Sequence, residues 1–148
     1  MEWRNIILRI SVVVTTYNGK MHLEKQLLSL LQQERAPDEV LIFDDGSTDG
    51  TIELVQSFIR KNCLESWQFY VNAKRKGWKQ NFMEGLRKAA GDILFPCDQD
   101  DIWYPKKLAE MTAVMEQHPE IKLLACDYRV IYESGALKAT VYKKTPAE

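Results

Sequence analysis

The sequence contains no long uncharged apolar run and no excess of charge of either sign. The apolar stretch from Ile6 to Val14 is interrupted by Arg9 and preceded by Glu2, so it is too short to span a bilayer. Lysine and arginine number 20 against 21 acidic residues, and no global field therefore draws the chain to nucleic acid or an anionic membrane. We expect a cytoplasmic protein without a transmembrane segment or a nucleic-acid partner, with peripheral association at the inner face of the membrane as a further expectation.

Cysteine is scarce, and the thiols that occur form no pattern. Cys63, Cys97 and Cys126 are odd in number, far apart and outside any Cys-x-x-Cys pair, which argues against a disulfide framework and a zinc site. We therefore expect these thiols to be reduced and buried, as in a cytosolic protein.

Neither length nor composition departs from that of an ordinary globular domain. The 148 residues are 45% hydrophobic and 28% charged, which indicates one domain with a substantial core. No internal repeat, linker or low-complexity segment divides the chain. The sequence therefore predicts a single domain over residues 1–148.

Apolar, strand-like runs alternate along the chain with segments of helical periodicity. Apolar residues recur at helical spacing after each of the first four runs, which predicts a helix in each interval. Beyond Arg129 the pattern weakens and suggests a hairpin around Glu133–Gly135. This alternation predicts an α/β fold with a mostly parallel sheet and helices on both faces. The predicted strands are Ile10–Thr15, Val40–Phe43, Trp67–Val71, Ile93–Cys97 and Ile121–Cys126.

Polar segments follow three of these predicted strands. They are Thr15–Gly19, Asp44–Gly50 and Asp98–Asp101. Each alone is typical of turns and helix caps. Because ligands of open α/β sheets bind beyond the carboxyl ends of the strands, we expect the three segments to face one crevice.

The stretch FPCDQDDIWYP contains three carboxylates within four positions, from Asp98, Asp100 and Asp101. Carboxylates this close raise one another's pKa unless a cation or hydrogen-bond donors neutralise them. The cluster suits a hard divalent cation, Mn2+ or Mg2+, held by Asp98 and Asp100 with phosphate oxygens as further ligands. Since Tyr17 offers a face for a flat base and Asp45 an acceptor for its N–H, a nucleoside diphosphate would touch all three segments.

Four spaced motifs, VVVTTYNG, EVLIFDDGSTDGT, KGWKQNFMEGLRKAAGDILF and DQDDIWYPKKL, closely resemble the family 2 glycosyltransferases of the glycosyltransferase-A fold. The resemblance covers roughly Ile10–Tyr132. The form DQDDIW, with Gly77 and Asn81–Phe82 upstream, is similar to rhamnosyltransferase-like members that act in bacterial surface polysaccharide synthesis. The resemblance implies a Rossmann-like nucleotide-binding architecture. It also implies inverting transfer of a sugar from a UDP- or dTDP-linked donor to a saccharide or lipid-linked acceptor.

The resemblance implies roles for residues at the first two strand ends. Thr15 and Tyr17 would line the pyrimidine pocket, and Asn18 would belong to the same nucleotide-binding set. Asp45 would hydrogen-bond the base, with Asp44 as its orienting neighbour.

The resemblance implies further roles at the fourth strand. Asp98 would reach the ribose or the metal shell, Asp100 would coordinate the metal, and Asp101 would support them. The stretch KRKGWK is the one local basic patch, and it is either a solvated loop or a site where one or two cations, Lys79 among them, meet the donor diphosphate or an anionic acceptor lipid. Trp103 leaves two readings open, as does the adjacent Tyr104: a wall of the sugar pocket, or packing against the following helix.

This chain differs from the family by ending early. Family members continue into a region that shapes the acceptor site and carries the catalytic base. After Asp127 the only carboxylates are Glu133 and Glu148, so the catalytic residue is unknown and the base is expected to be absent. We expect an amino-terminal donor-binding portion truncated at its C-terminus, the alternative being a non-catalytic nucleotide-sugar-binding module or inactive fragment.

Two other classes of small α/β domain also carry clustered acids. A receiver-type phosphorylation domain and a phosphatase with an Asp nucleophile both place these acids after the first strand. The first strand here ends instead in TTYNG. The position of the acids therefore favours the glycosyltransferase interpretation.

Overall fold

The computed structural model describes residues 7–130. Strands and helices alternate as β1 (Ile10–Thr16), α1 (Lys20–Leu31), β2 (Glu39–Asp44), α2 (Thr51–Lys61), β3 (Trp67–Val71), α3 (Trp78–Lys88), β4 (Ile93–Asp98) and α4 (Lys107–Gln117). All pairings in the sheet are parallel, and the strand order is β3-β2-β1-β4. This arrangement confirms the predicted α/β fold. None of the helices in the described range has the length and apolar character needed to cross a membrane.

Helices cover both faces of the sheet. On one face, Val12 and Val14 of β1 belong to the main core, to which α1, α2 and α4 contribute Leu27, Val55 and Leu108. On the other face, Val13 packs in a smaller cluster with α3. Because β1 and β2 are covered on both sides, their sequences are continuous apolar runs rather than alternating ones.

Helix α3 approaches the sheet closely at Gly85. A Cβ atom there would lie 2.3 Å from Val13 Cγ1 and 3.0 Å from Phe43 Cε2. We expect Gly85→Ala to lower the free energy of unfolding, because overpacking a core costs about 1–3 kcal/mol and exceeds the helix-propensity gain of about 0.5–1 kcal/mol. Urea unfolding measures the change. The control is Met83→Ala at an exposed position of the same helix, and equal stability of the two variants would contradict the prediction.

The predicted fifth strand at Ile121–Cys126 is wrong. Within residues 7–130 this segment pairs with no strand. The Ile121 N–H donates to the His118 carbonyl in a turn, and Leu123 is 89% exposed. An apolar run forms a strand only where the backbone of a neighbouring strand pairs with it. In the described range no strand is hydrogen-bonded to Ile121–Cys126 in this way. The predicted hairpin around Glu133–Gly135 lies outside the described residues.

The expectation of buried thiols is right for only one of the three cysteines. Cys97 on β4 is buried, whereas Cys63 and Cys126 are exposed. Cys63 directly follows the C-cap of α2 with a φ of 51°, in the left-handed conformation by which helices commonly end at the surface. Burial raises the pKa of the Cys97 thiol, and Gln26 Nε2 donates to its sulfur at 2.8 Å.

Candidate functional site

The carboxyl ends of β1, β2 and β4 bring the three polar segments together. In the sheet register, Thr15 lies opposite Asp98, and Thr16 lies opposite Asp44. The Asp45 N–H donates to the Thr16 carbonyl at 2.9 Å. The three segments therefore share one edge of the sheet, as expected for the ends of parallel strands.

Asp44 organises the loop that follows β2. Its side chain is fully buried, and its Oδ1 accepts hydrogen bonds from the N–H groups of Gly46 at 3.0 Å and Ser47 at 2.8 Å. The Ser47 hydroxyl donates to the other carboxylate oxygen. An aspartate that binds the backbone two and three residues further on is typical of a tight turn. Asp44 thus holds the loop in which Asp45 lies.

The Asp45 carboxylate is bound by the segment between β3 and α3. Its Oδ1 accepts from Asn72 Nδ2 at 3.0 Å and from the Lys76 N–H at 2.7 Å, and its Oδ2 accepts from the Gly77 N–H at 2.8 Å. Burial alone would raise the pKa of Asp45. The hydrogen bonds and the Arg75 charge outweigh that effect and hold this pKa below its usual value.

Arg75 covers the aromatic face that the sequence analysis assigned to a base. Its guanidinium carbon lies 4.0 Å from the centroid of the Tyr17 ring, and its Nε lies 3.9 Å from Asp45 Oδ2. A planar cation therefore contacts both side chains proposed to bind a pyrimidine. The Arg75 side chain is 66% exposed, so moving it would not disturb the core.

Asn18 joins the first polar segment to the second. It has a left-handed backbone with a φ of 48°. Its N–H donates to Ser47 Oγ at 2.8 Å, and its Oδ1 accepts from the Thr48 N–H at 2.9 Å. These bonds make one continuous surface of the β1 and β2 ends.

The acidic cluster at the end of β4 is exposed and has no salt bridge within residues 7–130. Desolvation and the charges of Asp101 and Asp100 raise the pKa of Asp98. The contribution of Asp98 to stability is therefore present below the ordinary carboxyl pKa and is lost as the pH rises through the raised value. A bound cation would remove this penalty.

The cluster fits a divalent ion only as part of a larger site. The described part of the chain contains no group of three or more His, Cys, Asp or Glu side chains arranged to hold a metal. Mg2+ is commonly bound in proteins by one or two carboxylates together with phosphate oxygens of the substrate. Asp98 and Asp100 are compatible with such a shared site.

Lys79 lies on the exposed first turn of α3, two residues after Gly77, whose N–H binds Asp45. Its Nζ is 5.5 Å from the centroid of the Trp78 ring. A surface cavity of about 530 Å³ beside it is also lined by Lys76 and Arg87. Glu84 also lines the cavity and forms a salt bridge with Lys76 at 2.6 Å, so the positive charge of the cavity comes from Lys79 and Arg87.

Of the two readings left open for the aromatic pair after the acidic cluster, packing against the following helix is correct for Trp103, since Nζ of Lys107, the first residue of α4, lies 4.0 Å from its ring centroid. This side chain is 5% exposed, and its ring centroid lies 6.0 Å from that of Phe95 in the core. The backbone N–H of Trp103 donates to Ser29 Oγ at 3.0 Å. Tyr104 is 64% exposed.

The sequence analysis missed the involvement of the 72–77 segment with Asp45. Asn72 follows the carboxyl end of β3 directly, so its position after a strand was a usable signal. The other two donors are backbone N–H groups, of Lys76 and Gly77. Side-chain identity carries no signal for these contacts.

These features define the class of the protein: a parallel α/β domain of the glycosyltransferase-A fold, with polar loops at the carboxyl edge of the sheet. A family model described as Glycosyl transferase family 2 matches residues 11–138. The chain therefore belongs to glycosyl transferase family 2.

Named relatives share this region at modest identity. The chain is 25% identical over 138 residues to the putative glycosyltransferase EpsE of Bacillus subtilis, covering 93% of this chain and 49% of that protein. The structure of TarS 1–349 from Staphylococcus aureus in complex with UDP aligns with a TM-score of 0.67 and 28% identity, over 75% of this chain and 33% of that one. The mannosyltransferase PcManGT from Pyrobaculum calidifontis, in complex with GDP-Man and Mn2+, aligns with a TM-score of 0.68 and 28% identity, over 73% and 32%. The chain spans less than half the length of each.

Proposed function

We propose that this chain binds the nucleoside diphosphate of a sugar donor, as the donor-binding portion of an inverting glycosyltransferase. The carrying observation is that Tyr17, Asp45 and the acidic cluster of Asp98 and Asp100 lie at one edge of the sheet. Family membership supports the proposal, as do structural neighbours that contain UDP or GDP-Man. The proposed donor is a UDP- or dTDP-linked sugar.

The base would bind between Tyr17 and Asp45. A carboxylate has about four lone-pair positions, and three of those on Asp45 are occupied by donors of the 72–77 segment. The remaining position, on Oδ2, faces Arg75. A base N–H would take this position while the base ring replaces the guanidinium on Tyr17, with Thr15 and Asn18 completing the pocket.

The diphosphate would extend from this pocket towards the acidic cluster. Asp98 and Asp100 would hold Mn2+ or Mg2+ together with phosphate oxygens, and the ion would supply charge stabilisation for the departing nucleoside diphosphate. Lys79 would add a positive charge to the phosphates from α3. The Mn2+ in the PcManGT complex supports this part of the proposal.

The proposed acceptor is a saccharide or lipid-linked hydroxyl, in the synthesis of a bacterial surface polysaccharide. Inversion requires a base that takes the acceptor proton, and we assign no residue of the described range to that role. The form DQDDIW is similar to that of rhamnosyltransferase-like enzymes, and we extend the proposal to membership of that subgroup. The proposal places the chain in the cytoplasm, at the inner face of the membrane where the acceptor is lipid-linked.

Calorimetry with a panel of nucleotides tests the proposal. We expect UDP or dTDP to bind more tightly than GDP or ADP, because a buried acceptor discriminates against ligands that leave it unpaired. We also expect Mn2+ to strengthen binding and a chelator to weaken it. UMP is the control for the contribution of the second phosphate, because it keeps the base and the ribose of UDP. Equal affinity for purine and pyrimidine diphosphates would refute the base assignment, and failure to bind any of them would refute the function.

A further inference from the structure

Gln99 lies between two carboxylates of the acidic cluster but is hydrogen-bonded to a different strand. Its Oε1 accepts from Thr16 Oγ1 at 2.8 Å and from the Tyr17 N–H at 2.9 Å. The backbone N–H of Tyr17 is only a donor, so the atom facing it must be the amide oxygen. Both lone pairs of that oxygen are therefore used at the end of β1.

The Gln99 amide fills a space that a glycine leaves open. A Cβ atom at Gly19 would lie 2.1 Å from Gln99 Oε1 and 2.6 Å from its Cδ. Gly19 has a φ of −102°, which any residue adopts, so the backbone conformation does not require glycine here. A side chain here would displace the Gln99 amide from its present position. The glycine of TTYNG and the glutamine of DQDD thus form one contact.

The hydrogen bonds of Gln99 link the polar segment at the end of β4 to the polar segment at the end of β1. Among the described residues, the carboxylates of Asp98, Asp100 and Asp101 have no hydrogen-bonded partner that would fix their loop to the rest of the site. Gln99 alone of the four residues 98–101 attaches its side chain to β1. Asp98 is already placed by the pairing of β4 with β1, opposite Thr15. Gln99 therefore ties the loop that follows, with Asp100, to the Tyr17 backbone.

We propose that Gln99 is a positioning residue that couples the metal-binding segment to the base-binding segment. This inference rests on the proposed function. When Gln99 holds both segments in one arrangement, the phosphates of a nucleotide whose base lies on Tyr17 reach an ion at Asp98 and Asp100 without rearrangement of the loop. The contact between phosphates and ion makes each ligand strengthen binding of the other by the same factor. Loss of the Gln99 hydrogen bonds should therefore lower the affinity for UDP more in the presence of metal than in its absence.

The test compares Gln99→Met, which keeps the length of the side chain but removes the acceptor oxygen, with Thr16→Val, which removes one of the two donors. Gln56→Met, at an exposed position on α2, is the control for the same exchange away from the site. The measured quantity is the ratio of UDP dissociation constants with chelator and with Mn2+. We expect Gln99→Met to lower this ratio about tenfold, the scale of one to two lost hydrogen bonds, and Thr16→Val to lower it less. The double variant should equal Gln99→Met.

A second measurement needs no nucleotide. Amide hydrogen exchange at Tyr17 should become faster in Gln99→Met and remain unchanged in Gln56→Met, because Gln99 Oε1 is the acceptor of that N–H. If Gln99→Met does not fold, the ratio of UDP dissociation constants with chelator and with Mn2+ is measured for Thr16→Val instead. A wild-type chain that binds no UDP would overturn the proposed function and this inference together. A wild-type chain that binds UDP equally well with Mn2+ and with chelator would overturn the proposed metal site and this inference, but not nucleotide binding. A wild-type chain with metal-dependent UDP binding, matched by an equally dependent Gln99→Met, would overturn the inference alone.

Discussion

Asp45→Ala is expected to destabilise the ligand-free protein by about 2–4 kcal/mol, the scale of several unpaired donors that partly regain water. The variant removes the acceptor of Asn72 Nδ2 and of the N–H groups of Lys76 and Gly77. It should also narrow the preference for UDP over GDP, since the acceptor for the base is lost. Urea unfolding and calorimetry with both nucleotides measure the two effects.

The stability lost in Asp45→Ala is expected to depend on pH in a direction set by the pKa of Asp45. The pKa of Asp45 is held below its ordinary value of 3.8, so its contribution to stability is present above that value and is lost as the pH falls through the lowered pKa. The stability difference between wild type and Asp45→Ala should therefore shrink in that acidic window. Asp49→Ala is the control for nucleotide selectivity, because Asp49 is an exposed carboxylate of the same loop. Hydrogen bonds from Thr51 and Lys20 also lower the pKa of Asp49, so it does not serve as a control for the pH dependence. Unchanged stability and selectivity in Asp45→Ala, or equal loss of selectivity in Asp49→Ala, would be inconsistent with the proposed pocket.

Asp100→Asn is expected to weaken metal-dependent UDP binding by about 1–3 kcal/mol, the usual scale of a lost charged hydrogen bond or ligand. The substitution nearly preserves shape and removes one charge. The ligand-free variant should melt at the wild-type temperature or above it, because the negative charge that helps to raise the pKa of Asp98 is gone. Melting temperature and UDP affinity, each with Mn2+ and with chelator, measure both effects.

The matched control for this substitution is Glu110→Gln, an isosteric loss of charge at an exposed position of α4. It should leave the metal dependence of UDP binding unchanged. An Asp100→Asn protein that melts much earlier than wild type yet keeps its metal dependence would show that Asp100 supports the fold. The metal would then have to be held by other residues.

The sequence predicted the four strands of the described sheet because each contains a short apolar run. In β1 and β2 this run is continuous because both faces are buried, whereas in β4 buried and exposed residues alternate. The run at Trp67–Val71 has the same bounds in the structure, and β2 and β4 extend the predicted runs by one or two residues. Ile121–Cys126 has the same apolar character but no paired neighbour in the described range. Strand formation depends on such a partner, and a single segment carries no information about it.

The edge on which the site lies was predictable for the same reason: polar residues directly follow apolar runs. The contacts that hold the site together could not be predicted from the sequence. Asp45 is bound largely by backbone N–H groups, and the glutamine of DQDD resembles a spacer until its contact with Thr16 is known. Interactions between the loops depend on which residues are close in space, and local sequence patterns contain no information about that.

The unequal burial of the cysteines gives the protein a built-in probe for alkylation experiments. Cys63 and Cys126 are exposed, whereas Cys97 is buried directly before Asp98 and hydrogen-bonded to Gln26. Because the thiolate is the reactive form and burial raises the pKa of Cys97, an alkylating reagent reaches this sulfur only when the core around it opens. The rate at which the Cys97 thiol is modified therefore reports how often the packing of α1 and α4 against the end of β4, next to Asp98, is transiently lost.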